Sequence, residues 1–164
     1  MAKPTKYATP ICLALSALAA VGIVFGLLGY PVPLFICLLP TVIYEVYRTQ
    51  GESTKWVSWA LLILVVLELV FILADLNLDL GTFFREEEKY VGGYYVPLGD
   101  VKVVGLAAQA VLAVILFTRT RGVYTKWLAV IIFLTAFAAV YALDATYFER
   151  LLRLGTDEAL RQTY

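Results

Sequence analysis

The nonapeptide RTQGESTKW at residues 48–56 recurs as RTRGVYTKW at residues 119–127, and each copy lies between two long apolar segments. The two copies are identical at Arg, Thr, Gly, Thr, Lys and Trp, with a constant offset of 71 residues. A short basic turn between two apolar segments is typical of a helical hairpin, so the repetition predicts two tandem hairpins. If the apolar segments cross a membrane, both hairpins cross it in the same direction. We therefore expect a parallel repeat, in which an axis along the membrane normal relates the two hairpins.

Each position of this turn has a structural interpretation. Gly51 and Gly122 are expected to adopt the left-handed conformation that ends a helix, and Thr54 and Thr125 to cap the helix that follows. The tryptophan that closes each copy fits the aromatic belt of a membrane interface. The functional alternative is a basic site on the cytoplasmic face for an anionic lipid, a cofactor or a partner, formed by Arg48, Lys55, Arg119, Arg121 and Lys126.

The composition of the chain is that of a membrane protein. Its 164 residues are 62% apolar and 16% charged, against about 45–50% and about 25% in an average soluble domain. A chain of this length forms one domain, whose surplus of apolar side chains must face lipid as well as a core. We therefore expect the lipid bilayer, and no nucleic acid, as a partner.

The sequence contains no histidine. Bis-histidine haem ligation, HExxH zinc sites, copper sites and Ser-His-Asp catalysis all need an imidazole, so none of them can be built. Cys12 and Cys37 form no CxxC pair, and we expect them near opposite ends of their helices, too far apart for a disulfide. The sequence thus predicts no cofactor, no metal site and no enzymatic activity.

Five apolar segments follow one another: Ile11–Tyr30, Leu34–Tyr47, Trp56–Leu76, Val101–Phe117 and Trp127–Leu143. The first is longer than the apolar region of a signal peptide and is interpreted as a retained transmembrane helix. The second covers only about 21 Å and contains Pro40, so a re-entrant segment is the alternative to a full crossing. The predicted fold is an all-α integral membrane protein with five transmembrane helices, or four and a re-entrant segment.

One membrane domain then extends over residues 1–164. It comprises a first helix (1–33), a hairpin (34–76), an outer loop (77–100), a second hairpin (101–144) and an interfacial tail (145–164). In the outer loop, Gly92-Gly93 lies between two Tyr- and Val-containing stretches and predicts a short extracytoplasmic β-hairpin. The positive-inside rule places the N-terminus in the cytoplasm and the C-terminus outside, because seven of 13 basic residues then lie inside.

Ionisable groups inside a membrane are functional candidates by default, because a charge in hydrocarbon is costly unless it is paired or hydrated. Glu68 is the thirteenth residue of the third segment, which predicts a position near the bilayer midplane. With Gln109, near the middle of the fourth segment, and the outward residues Asp75 and Asp79, it predicts a path for a proton or a cation. The structural alternative is a protonated Glu68 bonded to Gln109 or to a tyrosine as interhelical glue.

Glu45 is a second acidic residue inside an apolar segment. It lies about one turn before Arg48, so the two side chains are expected to pair at the membrane interface. This interpretation gives Glu45 a structural role.

Two classes of function follow. A non-catalytic subunit or assembly factor of a larger membrane complex is favoured by the tandem hairpins, the aromatic outer loop and the lack of a catalytic signature. Its partners would be other proteins or further copies of the chain. The alternative is a small proton- or cation-coupled transporter or channel that uses Glu68.

A third class rests on five residues. FILAD at 71–75 resembles the FNxAD element of lipoprotein signal peptidases, which implies an intramembrane aspartyl peptidase. The resemblance covers that pentapeptide alone, because the Asn of the element is Ile72 and the chain has no companion GN…DR motif. A peptidase is thus a remote alternative.

Overall fold

The computed structural model describes residues 7–49, 51–76, 88–91, 94–97 and 101–143. The helices in these residues are α1 (Ala8–Leu27), α2 (Pro31–Arg48), α3 (Glu52–Leu73), α4 (Val101–Arg119) and α5 (Val123–Leu143). Two strands, β1 (Glu88–Val91) and β2 (Tyr94–Pro97), lie between α3 and α4 in the chain. All five helices are long and apolar enough to span a membrane, which confirms the prediction of a helical chain with five potential spans.

Helix α2 is longer than the apolar segment that predicted it. It begins at Pro31 and has 18 residues, a length of about 27 Å. The first N–H groups of a helix have no intrahelical acceptor, so Pro31 and Pro33 extend the helix beyond the apolar run at no hydrogen-bonding cost. The helix continues through Pro40. The structure therefore contains a helix that is long and apolar enough to span a membrane, and a full crossing stays a prediction.

Two helices end in the same type of turn. Gly29, just beyond α1, has a φ of +84°, and Asp75, just beyond α3, has a φ of +48°. After α3, the N–H of Leu76 donates to the carbonyl of Phe71 at 3.0 Å, which is the six-to-one bond of a Schellman motif. Asp75 therefore occupies a left-handed position that usually belongs to glycine.

The repeated turns differ from the prediction in two respects. Gly51 has the expected positive φ of +117°, but Gly122 lies outside that region. The capping role predicted for Thr54 and Thr125 is wrong, because α3 and α5 begin two residues earlier and place each threonine inside the first turn. Each hydroxyl instead donates backwards to a glycine carbonyl, over 3.1 Å to Gly51 and 2.7 Å to Gly122.

Four of the helices form a ring. α2 contacts α3 and α5, and α4 contacts the same two helices, while α1 packs outside the ring across α2 and α5. Both repeated turns lie at one end of this bundle, which we call the basic end, and the opposite end, where α3 ends and α4 begins, is the far end. The core between the helices is apolar and includes Leu34, Phe35, Leu38, Val42, Leu61, Val65, Leu106, Ala113 and Ile132.

Small residues bring α1 close to α2. A Cβ atom at Gly22 would lie 2.8 Å from the Cβ of Cys37, and one at Gly26 would overlap Leu34. Close helix approach through glycine is the usual means of packing in membranes, where no hydrophobic effect drives helices together. The thiols of Cys12 and Cys37 are both free.

Hydrogen bonds join α1 to α5. The indole N–H of Trp127 donates to the hydroxyl of Ser16 at 3.0 Å, and the hydroxyls of Thr9 and Tyr124 bond at 2.9 Å. Both bonds lie in the first half of α1 and the first turns of α5. The start of α1 therefore lies at the basic end.

The two strands pair antiparallel, with Val91 opposite Tyr94. The glycines between them, Gly92 and Gly93, lie outside the described residues, as do most of the outer loop and the tail after Leu143. The predictions for the turn and for the interfacial tail therefore remain predictions.

Candidate functional site

The carboxyl group of Glu68 packs against the backbone of the neighbouring helix α4. Only 3% of the residue is exposed. A Cβ atom at Gly105 would lie 2.5 Å from Glu68 Oε1 and 3.3 Å from Glu68 Cδ. The missing side chain of Gly105 thus provides the space that the carboxyl group occupies in the seam between α3 and α4.

Gln109 lies one turn after Gly105 on the same face of α4, and it is 0% exposed. Both carboxyl oxygens of Glu68 and both polar atoms of the Gln109 amide are buried without a hydrogen-bond partner among the described residues. Leaving a buried polar group unsatisfied costs about 1–3 kcal/mol. Lys102, three residues before Gly105, is also buried. The α3–α4 seam is therefore a polar region inside an apolar bundle.

The interhelical bond expected of Glu68 is absent from the part of the chain that the structure describes. Neither Gln109 nor a tyrosine donates to the carboxyl group. Glu68 lies off the centre of its helix, because α3 ends at Leu73, only five residues after Glu68. Its position relative to a bilayer midplane stays a prediction. At a rise of about 1.5 Å per residue, Glu68 lies about 7.5 Å from the far end of its helix. The helix begins and ends earlier than the apolar segment suggested.

Of the two outward aspartates, the structure describes Asp75 only. Asp75 is exposed in the left-handed turn beyond α3, so the helical spacing from Glu68 does not continue to it. Asp79 lies outside the described residues. The structure thus places Glu68 against Gly105, one turn from Gln109 on α4, and it places Asp75 in the turn beyond α3.

A second buried carboxyl group lies near the basic end. Glu45 on α2 is 0% exposed, and its Oε1 accepts hydrogen bonds from the hydroxyls of Thr49 and of Ser58 on α3, the latter at 3.2 Å. Within the part of the chain that the structure describes, its Oε2 is buried without a partner, and so is the hydroxyl of Thr41, one turn away on α2. Sequence reasoning missed this cluster, because Ser58 comes from the neighbouring helix α3 and no local spacing relates it to Glu45.

The expected pairing of Glu45 with Arg48 is wrong. The Arg48 guanidinium lies over two aromatic rings, 4.9 Å from the centroid of Tyr124 and 5.9 Å from that of Tyr44. A cation over an aromatic face is stabilised by the ring quadrupole. Arg48 therefore joins α2 to α5 and leaves the Glu45 carboxyl group to the hydroxyls.

The other basic residues of the turns lie at the surface. Lys55, Arg119 and Arg121 are exposed, and the ammonium of Lys126 lies 5.4 Å from the ring centroid of Phe117. Next to Lys55, an open apolar groove of about 750 Å³ is lined by Lys55, Trp56, Trp59 and Ile63. These residues provide an exposed basic and aromatic surface at the basic end.

Buried positions recur at the 71-residue offset. Every buried side chain described in α3 has a buried counterpart in α5, in the pairs Thr54/Thr125, Ser58/Ala129, Leu61/Ile132, Val65/Ala136 and Glu68/Ala139. Between α2 and α4, the doubly buried pairs are Phe35/Leu106, Leu38/Gln109, Val42/Ala113, Glu45/Leu116 and Thr49/Thr120. Four of these buried residues are polar and have an apolar counterpart at the 71-residue offset: Glu45, Ser58, Glu68 and Gln109.

The described residues offer no group of three or more His, Cys, Asp or Glu side chains that could hold a metal ion. Ser58, which bonds Glu45, lies ten residues before Glu68 on α3, a rise of about 15 Å, so the two carboxyl groups do not share one site. The chemistry open to Glu45 and Glu68 is to accept and release protons at two separate carboxyl groups.

Comparison of the chain with protein-family models finds no match, and neither curated proteins nor solved structures match it. A functional proposal for this protein therefore rests on its own residues.

Proposed function

We propose that the protein is a small multipass membrane transporter or channel that moves a proton or a small cation along the seam between α3 and α4. The observation that carries the proposal is the buried pair of Glu68 and Gln109, whose polar atoms have no hydrogen-bond partner in the described residues. Polar groups in a membrane are expensive and are typical of ion pathways and proton relays. A passing ion or proton would supply the partner that the protein does not.

The duplication supports this proposal by showing what packing alone requires. At the positions that correspond to Glu68 and Gln109, the chain has Ala139 and Leu38, and both are buried. An apolar residue therefore satisfies the packing of the ring at each position. A parallel repeat with the N-terminus in the cytoplasm and the C-terminus outside is part of the proposal, and it places Glu68 toward the outer surface.

A second candidate function is that of a subunit or assembly factor in a larger membrane complex. One specific observation favours it, which is the exposed aromatic surface of Lys55, Trp56, Trp59 and Ile63. Trp56 is 80% exposed, whereas its counterpart Trp127 is 43% exposed and bonded to Ser16. The same surface, with Arg119 and Arg121, also fits contact with anionic lipid at the basic end.

Flux measurements on the Glu68→Gln variant separate the two candidates. Purified protein is reconstituted in vesicles that contain a dye sensitive to H⁺, Na⁺ or K⁺, and a gradient of the same ion is imposed. We expect the wild-type protein to carry one of these ions, and the isosteric variant to lose flux by about a hundredfold, the lower range of what a positioned proton-transfer group contributes.

The matched control is Thr135→Val, which removes a buried hydroxyl from α5, outside the seam. Its flux should equal that of the wild-type protein. Wild-type flux no greater than that of empty vesicles, or unchanged flux in Glu68→Gln, would contradict the transporter proposal and favour the subunit.

A further inference from the structure

Unsatisfied polar atoms in the described residues occur on one side of the ring only. These atoms are Thr41 Oγ1, Glu45 Oε2, Glu68 Oε1, Glu68 Oε2, Gln109 Nε2 and Gln109 Oε1. They belong to α2, α3 and α4, and α5 contributes none of them. The polar atoms therefore follow the side of the bundle on which α3 packs between α2 and α4.

The 71-residue offset gives the depth of each group along the bundle. Glu68 lies at the level of Gly105, and Gln109 is four residues, or about 6 Å, nearer the basic end. Gln109 corresponds to Leu38, so Thr41 lies three residues and about 4.5 Å further, and Glu45 four residues and about 6 Å beyond Thr41. The four groups thus succeed one another over about 16 Å of depth.

The second hairpin shows that the inner cluster is not required for packing. Leu116 stands at the position of Glu45, Leu112 at that of Thr41 and Ala129 at that of Ser58. The hydroxyl of Thr120, which corresponds to Thr49, donates to the Leu116 carbonyl at 2.6 Å, so it needs no carboxylate. The first hairpin therefore carries polar groups at sites where its counterpart folds with apolar ones.

We propose that the transported species is the proton and that Glu45 is its second acceptor, in the order Glu68, Gln109, Thr41, Glu45 from the far end to the basic end. This inference rests on the proposed function and names its substrate and its inner site. A divalent metal ion takes about six or more oxygen ligands, whereas each carboxyl group here stands alone among amide or hydroxyl groups. A proton needs one acceptor at a time.

At each carboxylate, the proton that is gained comes from hydronium and the proton that is lost goes to water. A hydronium ion at the far end gives its proton to the Glu68 carboxylate, so one O–H bond of hydronium breaks, one carboxyl O–H bond forms and water is left. Water molecules hydrogen-bonded to the Gln109 amide and the Thr41 hydroxyl take the proton on and deliver it to Glu45. Glu45 releases it to water at the basic end, and no other bond changes.

The test compares Glu45→Gln with Glu45→Asp and Glu68→Gln in vesicles, with K⁺ and valinomycin to balance charge. We expect proton flux in Glu45→Gln to fall about as far as in Glu68→Gln, and Glu45→Asp to retain part of it because the carboxyl group is kept. Thr120→Val removes the buried hydroxyl that corresponds to Thr49 in the second hairpin, and this matched control should not change the flux.

Infrared difference spectroscopy distinguishes proton transfer at Glu45 from a purely structural role of this residue, because a structural role produces no change in its protonation. A proton gradient should produce a band of protonated carboxyl groups, part of which disappears in Glu45→Gln. If that variant does not fold, Glu45→Leu reproduces the residue of the second hairpin and replaces it. Loss of flux in Glu68→Gln with full flux in Glu45→Gln would overturn the inner site. Flux of Na⁺ in place of H⁺, or of K⁺ in vesicles without valinomycin, would overturn the proton as the transported species. Both outcomes leave the proposed function standing.

Discussion

Glu68 on α3 occupies the space that a side chain at Gly105 on α4 would fill, with Oε1 only 2.5 Å from the position of the absent Cβ atom. The contact places the end of a flexible acidic side chain against helix backbone. It determines where the carboxyl group lies in the seam, and so it can be tested by filling the space.

Gly105→Ala should move the carboxyl group with little effect on the fold. Because the atom that the new methyl group meets is the tip of a flexible side chain, we expect a loss of stability of about 1 kcal/mol, at the low end for overpacking. Ion flux per folded protein should fall, because the carboxyl group is displaced while most of the protein stays folded. Ala108→Val, which enlarges an exposed residue of the same helix, is the control, and an equal effect of the two substitutions on flux would show that the Glu68 contact is irrelevant.

Gln109→Leu should stabilise the protein. The substitution introduces the residue found at the corresponding position 38 and removes two buried atoms without partners, which cost about 1–3 kcal/mol per group. Unfolding in detergent should require more denaturant, while flux falls. Thr135→Val, whose hydroxyl is already bonded to its own helix, should give no such gain. A less stable Gln109→Leu variant would mean that the amide has a structural partner.

Trp127→Phe and Trp56→Phe should differ in stability, although the two tryptophans occupy equivalent positions of the repeat. Trp127 donates to Ser16 at 3.0 Å, so its loss should cost about 1 kcal/mol of unfolding free energy. Trp56 is exposed, and its replacement should have no measurable effect. Equal effects of the two substitutions on thermal unfolding would argue against the packing of α1 on α5.

Asp75→Gly should raise the unfolding temperature. A non-glycine residue in the left-handed region costs about 1–2 kcal/mol, less for Asp than for most residues, and glycine removes that cost. Asp75→Val should have the opposite effect, since a β-branched residue fits this region poorly. If the valine variant were as stable as the glycine variant, the turn after α3 would not have the Schellman geometry.

Local patterns in the sequence predicted the helices but not the contacts between them. The apolar segments and the repeated turn gave five helices in the right order, while Pro31 and Pro33 concealed the first turn of α2 because neither belongs to the apolar set. The threonine caps were misassigned because the helices begin four residues before the tryptophans that mark the start of each apolar segment.

The candidate site was predictable only in part. Glu68 and Gln109 were found because ionisable and amide groups are rare in apolar segments. The pairing of Glu45 with Arg48 was wrong because local spacing ignores partners from elsewhere in the chain. Ser58 reaches Glu45 from the next helix, and Tyr124 reaches Arg48 from 76 residues later. Such contacts depend on how α2, α3 and α5 pack.

The central claim is that Glu68 exchanges the transported ion, and proton flux of Glu68→Gln in reconstituted vesicles tests it most directly. We predict that this variant folds as the wild-type protein does and loses its flux, while Thr135→Val keeps it. A folded Glu68→Gln protein with the full flux of the wild-type protein would contradict the claim.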